Sequence, residues 1–152
     1  ISATAAISTS KIAFPVTESN ITFSGSGHGH SGGIDGKTIT KNVTYGGFIA
    51  GTPAVANDLA TNPRVRATTT ATNISAYSRT APTGSSLTVQ VYNVTQAKVV
   101  ASLSITATNN SATSSSMTNA SLASGDILRF DVTAIGSTVA GANITIQIDG
   151  TE

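Results

Sequence analysis

The stretch Leu87-Thr-Val-Gln-Val91 alternates apolar and polar residues without interruption. Successive side chains of an extended chain point to opposite faces, so this alternation predicts a β-strand with one buried face. Residues 127–132 and 143–149 repeat the pattern, and the second of these segments carries isoleucine at every other position. We therefore expect the three strands to bury their apolar residues in one core.

Shorter strand-like segments flank these three strands. Further strands are expected at residues 38–49, 65–77, 98–106 and 114–118. Residues 81–84 and 124–126 carry the residue types of tight turns, and residues 55–63 indicate a loop with one turn of helix at most. About seven or eight short strands, without a βαβ rhythm, are typical of an antiparallel sandwich. The sequence thus predicts an all-β domain at residues 37–152, an antiparallel β-sandwich or jelly roll.

The composition supports this fold and argues against two classes of partner. Ser and Thr account for 45 of the 152 residues, whereas only 10% are charged and 5% are aromatic. Such a composition favours strands joined by polar turns and suits a rigid extracellular or virion component. The net charge of +1 lacks the basic excess that is typical of nucleic-acid-binding domains. No apolar run approaches the length of a membrane span. We therefore expect no nucleic-acid partner and no membrane insertion.

Residues suited to catalysis are scattered along the chain. It contains no cysteine, and its only glutamates, Glu18 and Glu152, lie near opposite ends. General acid–base catalysis needs a titrating group beside a partner, and glycoside hydrolysis needs two well-placed carboxylates. The glycine clusters at residues 25–27 and 32–33 lack the Lys-Ser/Thr ending of a phosphate-binding loop. The sequence predicts that the protein is not an enzyme.

Asp35, Asp126 and Asp131 each have two interpretations. Loop carboxylates are suitable ligands for calcium, although none of the three lies in a dense acidic loop. The competing interpretation is a turn carboxylate that accepts hydrogen bonds from nearby backbone amides. We favour the turn interpretation for all three.

The glycine-rich segment Gly27-His28-Gly29-His30 contains both histidines of the chain. In an extended conformation both imidazoles project from one face, and the flanking glycines let another backbone approach. One chain offers two nitrogen ligands, fewer than a closed metal site needs, whereas three chains around a threefold axis offer six. Six imidazoles fit iron or nickel better than zinc. We therefore predict that His28 and His30 bind a metal in a homotrimer; the alternative is a solvated linker that binds nothing.

Three longer runs carry a resemblance to a group of known proteins. They are YSRTAPTGSSLTVQVY at residues 77–92, LASGDILRFDV at residues 122–132 and IGSTVAGANITI at residues 135–146. Together they resemble a β-sandwich module common in tailed-bacteriophage structural proteins, across about residues 45–150. The Gly-His-Gly-His run resembles the His-x-His segments of trimeric phage fibres, in which the histidines of three chains coordinate iron. The resemblance therefore implies iron as the metal.

This resemblance implies a structural virion protein. The expected subunit is a trimeric fibre, spike or decoration protein, attached to capsid, tail or baseplate proteins by a short glycine-rich segment at residues 1–36. The alternative is a receptor- or carbohydrate-binding module that recognises a glycan on the host cell surface. Such a module stacks sugars on exposed aromatic side chains, for which Tyr45, Phe48, Tyr77 and Tyr92 are candidates. The competing interpretation of these four residues is that they fill the core.

Overall fold

The computed structural model describes residues 40–152, which fold as two antiparallel β-sheets packed against each other. Within this range the chain forms eight strands and no helix. The strands are β1 (Asn42–Ile49), β2 (Thr69–Thr80), β3 (Leu87–Asn93), β4 (Lys98–Ile105), β5 (Ser111–Ser114), β6 (Ser121–Leu122), β7 (Leu128–Ala134) and β8 (Ala142–Thr151). The predicted all-β, antiparallel sandwich is confirmed.

The order of strands in the sheets joins distant parts of the chain. The larger sheet has the order β1-β8-β2-β5, with β6 also beside β2, and the smaller sheet has the order β4-β3-β7. β8 pairs with β1 in an unbroken register from Asn42↔Thr151 to Ile49↔Ile144. The first strand of the sandwich therefore lies at an edge of the larger sheet, beside the last strand.

The core lies between the inward faces of the two sheets. Alternate positions of β3 and β8 are almost completely buried, as the sequence predicts: Leu87, Val89, Val91, Ile144, Ile146 and Ile148. Phe130 of β7 is the largest fully buried side chain. It packs against β1 at Gly47, where an added β-carbon would lie 2.6 Å from Phe130 Cδ2. Glycine at position 47 permits this close approach.

The structure corrects the bounds of several predicted strands, most of all those of β5 and β2. β5 spans Ser111–Ser114, whereas the sequence predicted a strand at residues 114–118. No β5 side chain is buried, so this strand lacks the apolar alternation that identifies the others. β2 begins at Thr69 rather than at residue 65. Val65 belongs to the preceding loop, and its backbone N–H donates to the Asp126 carbonyl at 2.8 Å.

Residues 55–63 form a loop, as predicted, and this loop covers the outer edge of β7. Ala56 exchanges two backbone hydrogen bonds with Val132, at 3.0 and 2.9 Å. Further along, the Leu128 N–H donates to the Pro63 carbonyl at 3.0 Å. The loop thereby satisfies backbone groups of β7 that face away from β3.

Candidate functional site

The predicted attachment segment at residues 1–36, with the metal ligands His28 and His30 and with Asp35, lies outside the described residues. Among residues 40–152 no group of three or more His, Cys, Asp or Glu side chains is arranged to hold a metal ion. Every carboxylate of this range accepts a hydrogen bond from an N–H or O–H donor: Asp58, Asp126, Asp131, Asp149 and Glu152. The described carboxylates therefore already have partners within the fold.

Asp126 connects the turn at residues 123–126 to the end of β3 by hydrogen bonds. Its side chain is buried, and its Oδ2 accepts hydrogen bonds from Asn93 Nδ2 and Gln96 Nε2, both at 2.6 Å, and from the Ala123 N–H at 2.8 Å. Calcium needs a shell of oxygen ligands, whereas these neighbours all present N–H donors. The interpretation of Asp126 as a turn carboxylate is confirmed.

Asp131 lies within β7, so its interpretation as a turn carboxylate is wrong. Its buried carboxylate accepts two hydrogen bonds from Arg129, from Nε at 2.8 Å and from Nη2 at 2.9 Å, and a third from the Asp58 N–H at 2.9 Å. The hydrogen bond to Asp131 raises the pKa of Arg129, whose guanidinium lies 4.6 Å from the centre of the Tyr92 ring. Asp131 shares no donor with Asp126. The two aspartates thus stabilise separate parts of the fold.

Two of the four aromatic candidates for sugar stacking, Tyr45 and Tyr92, contact other groups of the protein. Tyr45 is buried, and its hydroxyl accepts a hydrogen bond from the Arg66 N–H at 3.4 Å. Tyr92 is half-buried beneath the guanidinium of Arg129. Tyr45 therefore packs in the core, as the competing interpretation states. Tyr92 instead packs against Arg129, which forms the ion pair with Asp131.

Phe48 and Tyr77 stand on the outward face of the larger sheet, where they are 55% and 50% exposed. In the strand register both residues pair with Thr145 of the central strand β8, Phe48 from one side and Tyr77 from the other. Neighbouring strands are about 4.8 Å apart, so the two aromatic residues lie about 10 Å apart across the sheet. We call Phe48, Thr145 and Tyr77 the aromatic row.

Polar side chains continue this outward face beyond the aromatic row. A shallow depression of about 450 Å³ next to the row is lined in part by Ser75 and Gln147. Further along the face, Asp149 accepts hydrogen bonds from Thr44 Oγ1 at 2.6 Å and from Asn73 Nδ2 at 3.2 Å. The face therefore combines two exposed rings with hydroxyl, amide and carboxylate groups.

This combination of groups matches the chemistry of a sugar. The C–H faces of a pyranose stack on aromatic rings, while its hydroxyls exchange hydrogen bonds with polar side chains.

The sequence contains the signal that separates the exposed aromatics from Tyr45. Tyr45 and Ile49 point inward on β1, so the alternation of strand faces places Phe48 outward.

No helix within residues 40–152 is long and apolar enough to cross a membrane. Comparison with known proteins finds no matching family model, no matching curated protein and no matching solved structure.

Proposed function

We propose that this chain is a structural virion protein of a tailed bacteriophage, as a trimeric fibre, spike or decoration subunit. The observation that carries the proposal is the resemblance of residues 77–92, 122–132 and 135–146 to a phage β-sandwich module. Two of these runs meet in the fold. The Thr83 N–H donates to the Val139 carbonyl at 3.0 Å, and the Thr138 N–H donates to the Thr83 carbonyl, also at 3.0 Å. The runs at residues 77–92 and 135–146, which carry the resemblance, are thus hydrogen-bonded to each other in the fold.

The chemistry of the domain supports a structural role. Within residues 40–152 every buried side-chain nitrogen and oxygen has a hydrogen-bond partner, which favours a rigid domain. We propose that residues 1–36 attach the subunit to capsid, tail or baseplate proteins and that the sandwich faces outward. In the same proposal, His28 and His30 of three chains hold one iron ion on the trimer axis.

Two measurements test this proposal. Light scattering on the full chain is expected to return three times the 15.2 kDa mass of one chain. Quantitative mass spectrometry of gradient-purified virions is expected to find the chain in a copy number divisible by three. A monomer mass at micromolar concentration contradicts the trimer, and absence of the chain from purified virions contradicts the structural role.

The aromatic row favours a second candidate function, the binding of a glycan on the host cell surface. The whole chain has only seven aromatic residues, and two of them, Phe48 and Tyr77, are about half exposed and lie in one row. Their separation of about two strand spacings allows one oligosaccharide to contact both rings. The polar side chains around the row supply partners for sugar hydroxyls.

A glycan array tests the second candidate. The wild-type chain is expected to bind a defined set of neutral oligosaccharides, and Phe48→Ala and Tyr77→Ala are each expected to abolish that binding. Val55→Ala is the matched control, because Val55 is a similarly exposed apolar residue, at 58%, outside the aromatic row. Equal binding by all four proteins, or no binding by the wild type, contradicts a glycan site at the row.

A further inference from the structure

β1 has one edge that no strand of the described range covers. Lys41 and Glu152 exchange both backbone hydrogen bonds, at 3.4 and 2.8 Å, so their pair is the hydrogen-bonded type of an antiparallel ladder. The pattern alternates along β1, and the N–H and C=O groups of Asn42, Thr44 and Gly46 therefore point away from β8. Within residues 40–152 these groups have no backbone partner.

The other sheet shows how this fold covers an edge elsewhere. The outer edge of β7 is bonded by the loop at residues 55–63, including the reciprocal pair between Ala56 and Val132. Proteins usually cover, shorten or charge an exposed strand edge, because unpaired backbone groups recruit another strand. β1 is eight residues long and carries no proline. Its open edge therefore has the properties of a strand-pairing surface.

A cleft of about 860 Å³ runs beside this open edge. Its walls are β1, residues 63–66 and residues 124–125. The side chains of Tyr45 and Val65 are buried and give the cleft an apolar component, whereas Gly46 and Gly125 have no side chains to narrow it. An extended chain that hydrogen-bonds to the open edge of β1 would therefore enter this cleft, with residues 63–66 on its other side.

The cleft is positively charged. Arg64 and Arg66, on either side of the buried Val65, are both exposed and both line the cleft. Lys41 also lines the cleft, but it is bonded to the only carboxylate there, Glu152, at 2.9 Å. Within the described range neither arginine forms a salt bridge. The arginines are therefore available for carboxylates of a ligand.

We propose that the open edge of β1 binds an extended acidic peptide segment of a partner protein. The peptide adds a strand to the larger sheet by hydrogen-bonding to Asn42, Thr44 and Gly46, and its carboxylates pair with Arg64 and Arg66. The unpaired backbone groups favour a peptide over other polyanions, because a polysaccharide or nucleic acid has no complementary backbone. This site is separate from the aromatic row and does not depend on the proposed virion function.

Fluorescence anisotropy with a defined probe tests the proposal on the full chain. The probe is a fluorescein-labelled peptide, Thr-Val-Glu-Val-Glu-Val-Thr, compared with the same peptide carrying Lys in place of Glu. A third peptide keeps both glutamates but is N-methylated at alternate amides, which removes the hydrogen bonds of one strand edge. Only the first peptide is expected to bind. The N-methylated peptide keeps its charge but cannot pair as a strand. Loss of its binding would therefore show that strand pairing, and not charge attraction alone, holds the peptide.

Protein variants locate the site. Arg64→Gln/Arg66→Gln is expected to weaken binding at least about tenfold, because two charge-assisted pairs are lost. Asn42→Pro is expected to weaken it similarly, because proline removes an N–H from the open edge while the bonds to β8 remain. Arg79→Gln, which changes an exposed arginine outside the cleft, is the matched control and is expected to bind like the wild type.

Three results would overturn the proposal. The first is no binding of the acidic peptide at concentrations up to about 1 mM. The second is binding that the arginine substitutions abolish but N-methylation of the peptide leaves unchanged, which identifies a general anion site. The third is a smaller solution mass of Asn42→Pro than of the wild type, which shows that a second copy of this chain occupies the edge.

Discussion

Replacing Phe130 by alanine removes the largest fully buried side chain of the sandwich. Substitutions of buried phenylalanine by alanine cost about 3–5 kcal/mol, and the cost is highest where the surroundings do not collapse into the cavity. Here the ring faces Gly47, which has no side chain to fill the space, and β1 is held in place by its ladder with β8. We therefore expect Phe130→Ala to lower the free energy of unfolding by about 4–5 kcal/mol.

A second substitution tests whether this contact has the geometry described. A β-carbon at position 47 would lie 2.6 Å from Phe130 Cδ2 and 2.8 Å from Ala60 Cβ. Gly47→Ala alone therefore overpacks the core and is expected to cost about 1–3 kcal/mol. In the Phe130→Ala background the methyl group no longer meets the ring, although its 2.8 Å approach to Ala60 Cβ remains. The two substitutions are expected to be coupled by at least about 1 kcal/mol, with the double variant more stable than the sum predicts.

Urea unfolding followed by far-ultraviolet circular dichroism measures all three variants against the wild type. Thr145→Ala is the control, because Thr145 lies half-buried on the outward face of β8 and its replacement is expected to cost no more than about 1 kcal/mol. The reasoning is refuted if Phe130→Ala costs no more than Thr145→Ala. Strict additivity of the Gly47 and Phe130 substitutions equally contradicts the packing of Phe130 against β1.

Three further predictions concern other parts of the chain. Asp131→Ala leaves Arg129 without its ion-pair partner and is expected to destabilise the fold by about 1–3 kcal/mol in the same urea assay; an unchanged midpoint contradicts the role of the pair. Gly84→Ala is expected to lower the melting temperature, because Gly84 has a φ of +81° and its neighbours leave no room for a methyl group; an equal melting temperature contradicts this. Elemental analysis of the wild type is expected to find iron at neutral pH and to lose it below about pH 6.5, since protonated imidazoles do not bind metal. Equal iron in wild type and His28→Ala/His30→Ala excludes the site.

The strands that bury one face were predictable from the sequence, because burial imposes a period of two. β3 and β8 carry this signal at every position, and their inward residues are the ones expected. The bounds of β5 were predicted wrongly because the strand buries no side chain, and its Ser, Ala and Thr residues therefore carry no apolar alternation. The neighbour relations of β1 and β8 depend on contacts between opposite ends of the domain. Local patterns contain no information about such contacts.

The surface sites were predictable only in part. Phe48 and Tyr77 were candidates from residue type alone, but their placement on either side of Thr145 depends on strand order. Arg64 and Arg66 were not singled out, although the pattern Arg-Val-Arg with an apolar centre indicates two cations on one face. The cleft beside them exists because a loop next to β7 approaches the edge of β1, and no local pattern encodes that approach.

Immunogold electron microscopy of intact virions tests the central proposal most directly. The reagent is an antibody raised against the sandwich and applied to virions of the phage that, under this proposal, encodes the chain. The proposal predicts gold at one defined structure of the virion, on the fibres, the baseplate or the capsid surface, because the sandwich faces outward. Unlabelled virions in a preparation whose host lysate contains the protein would contradict a structural virion role.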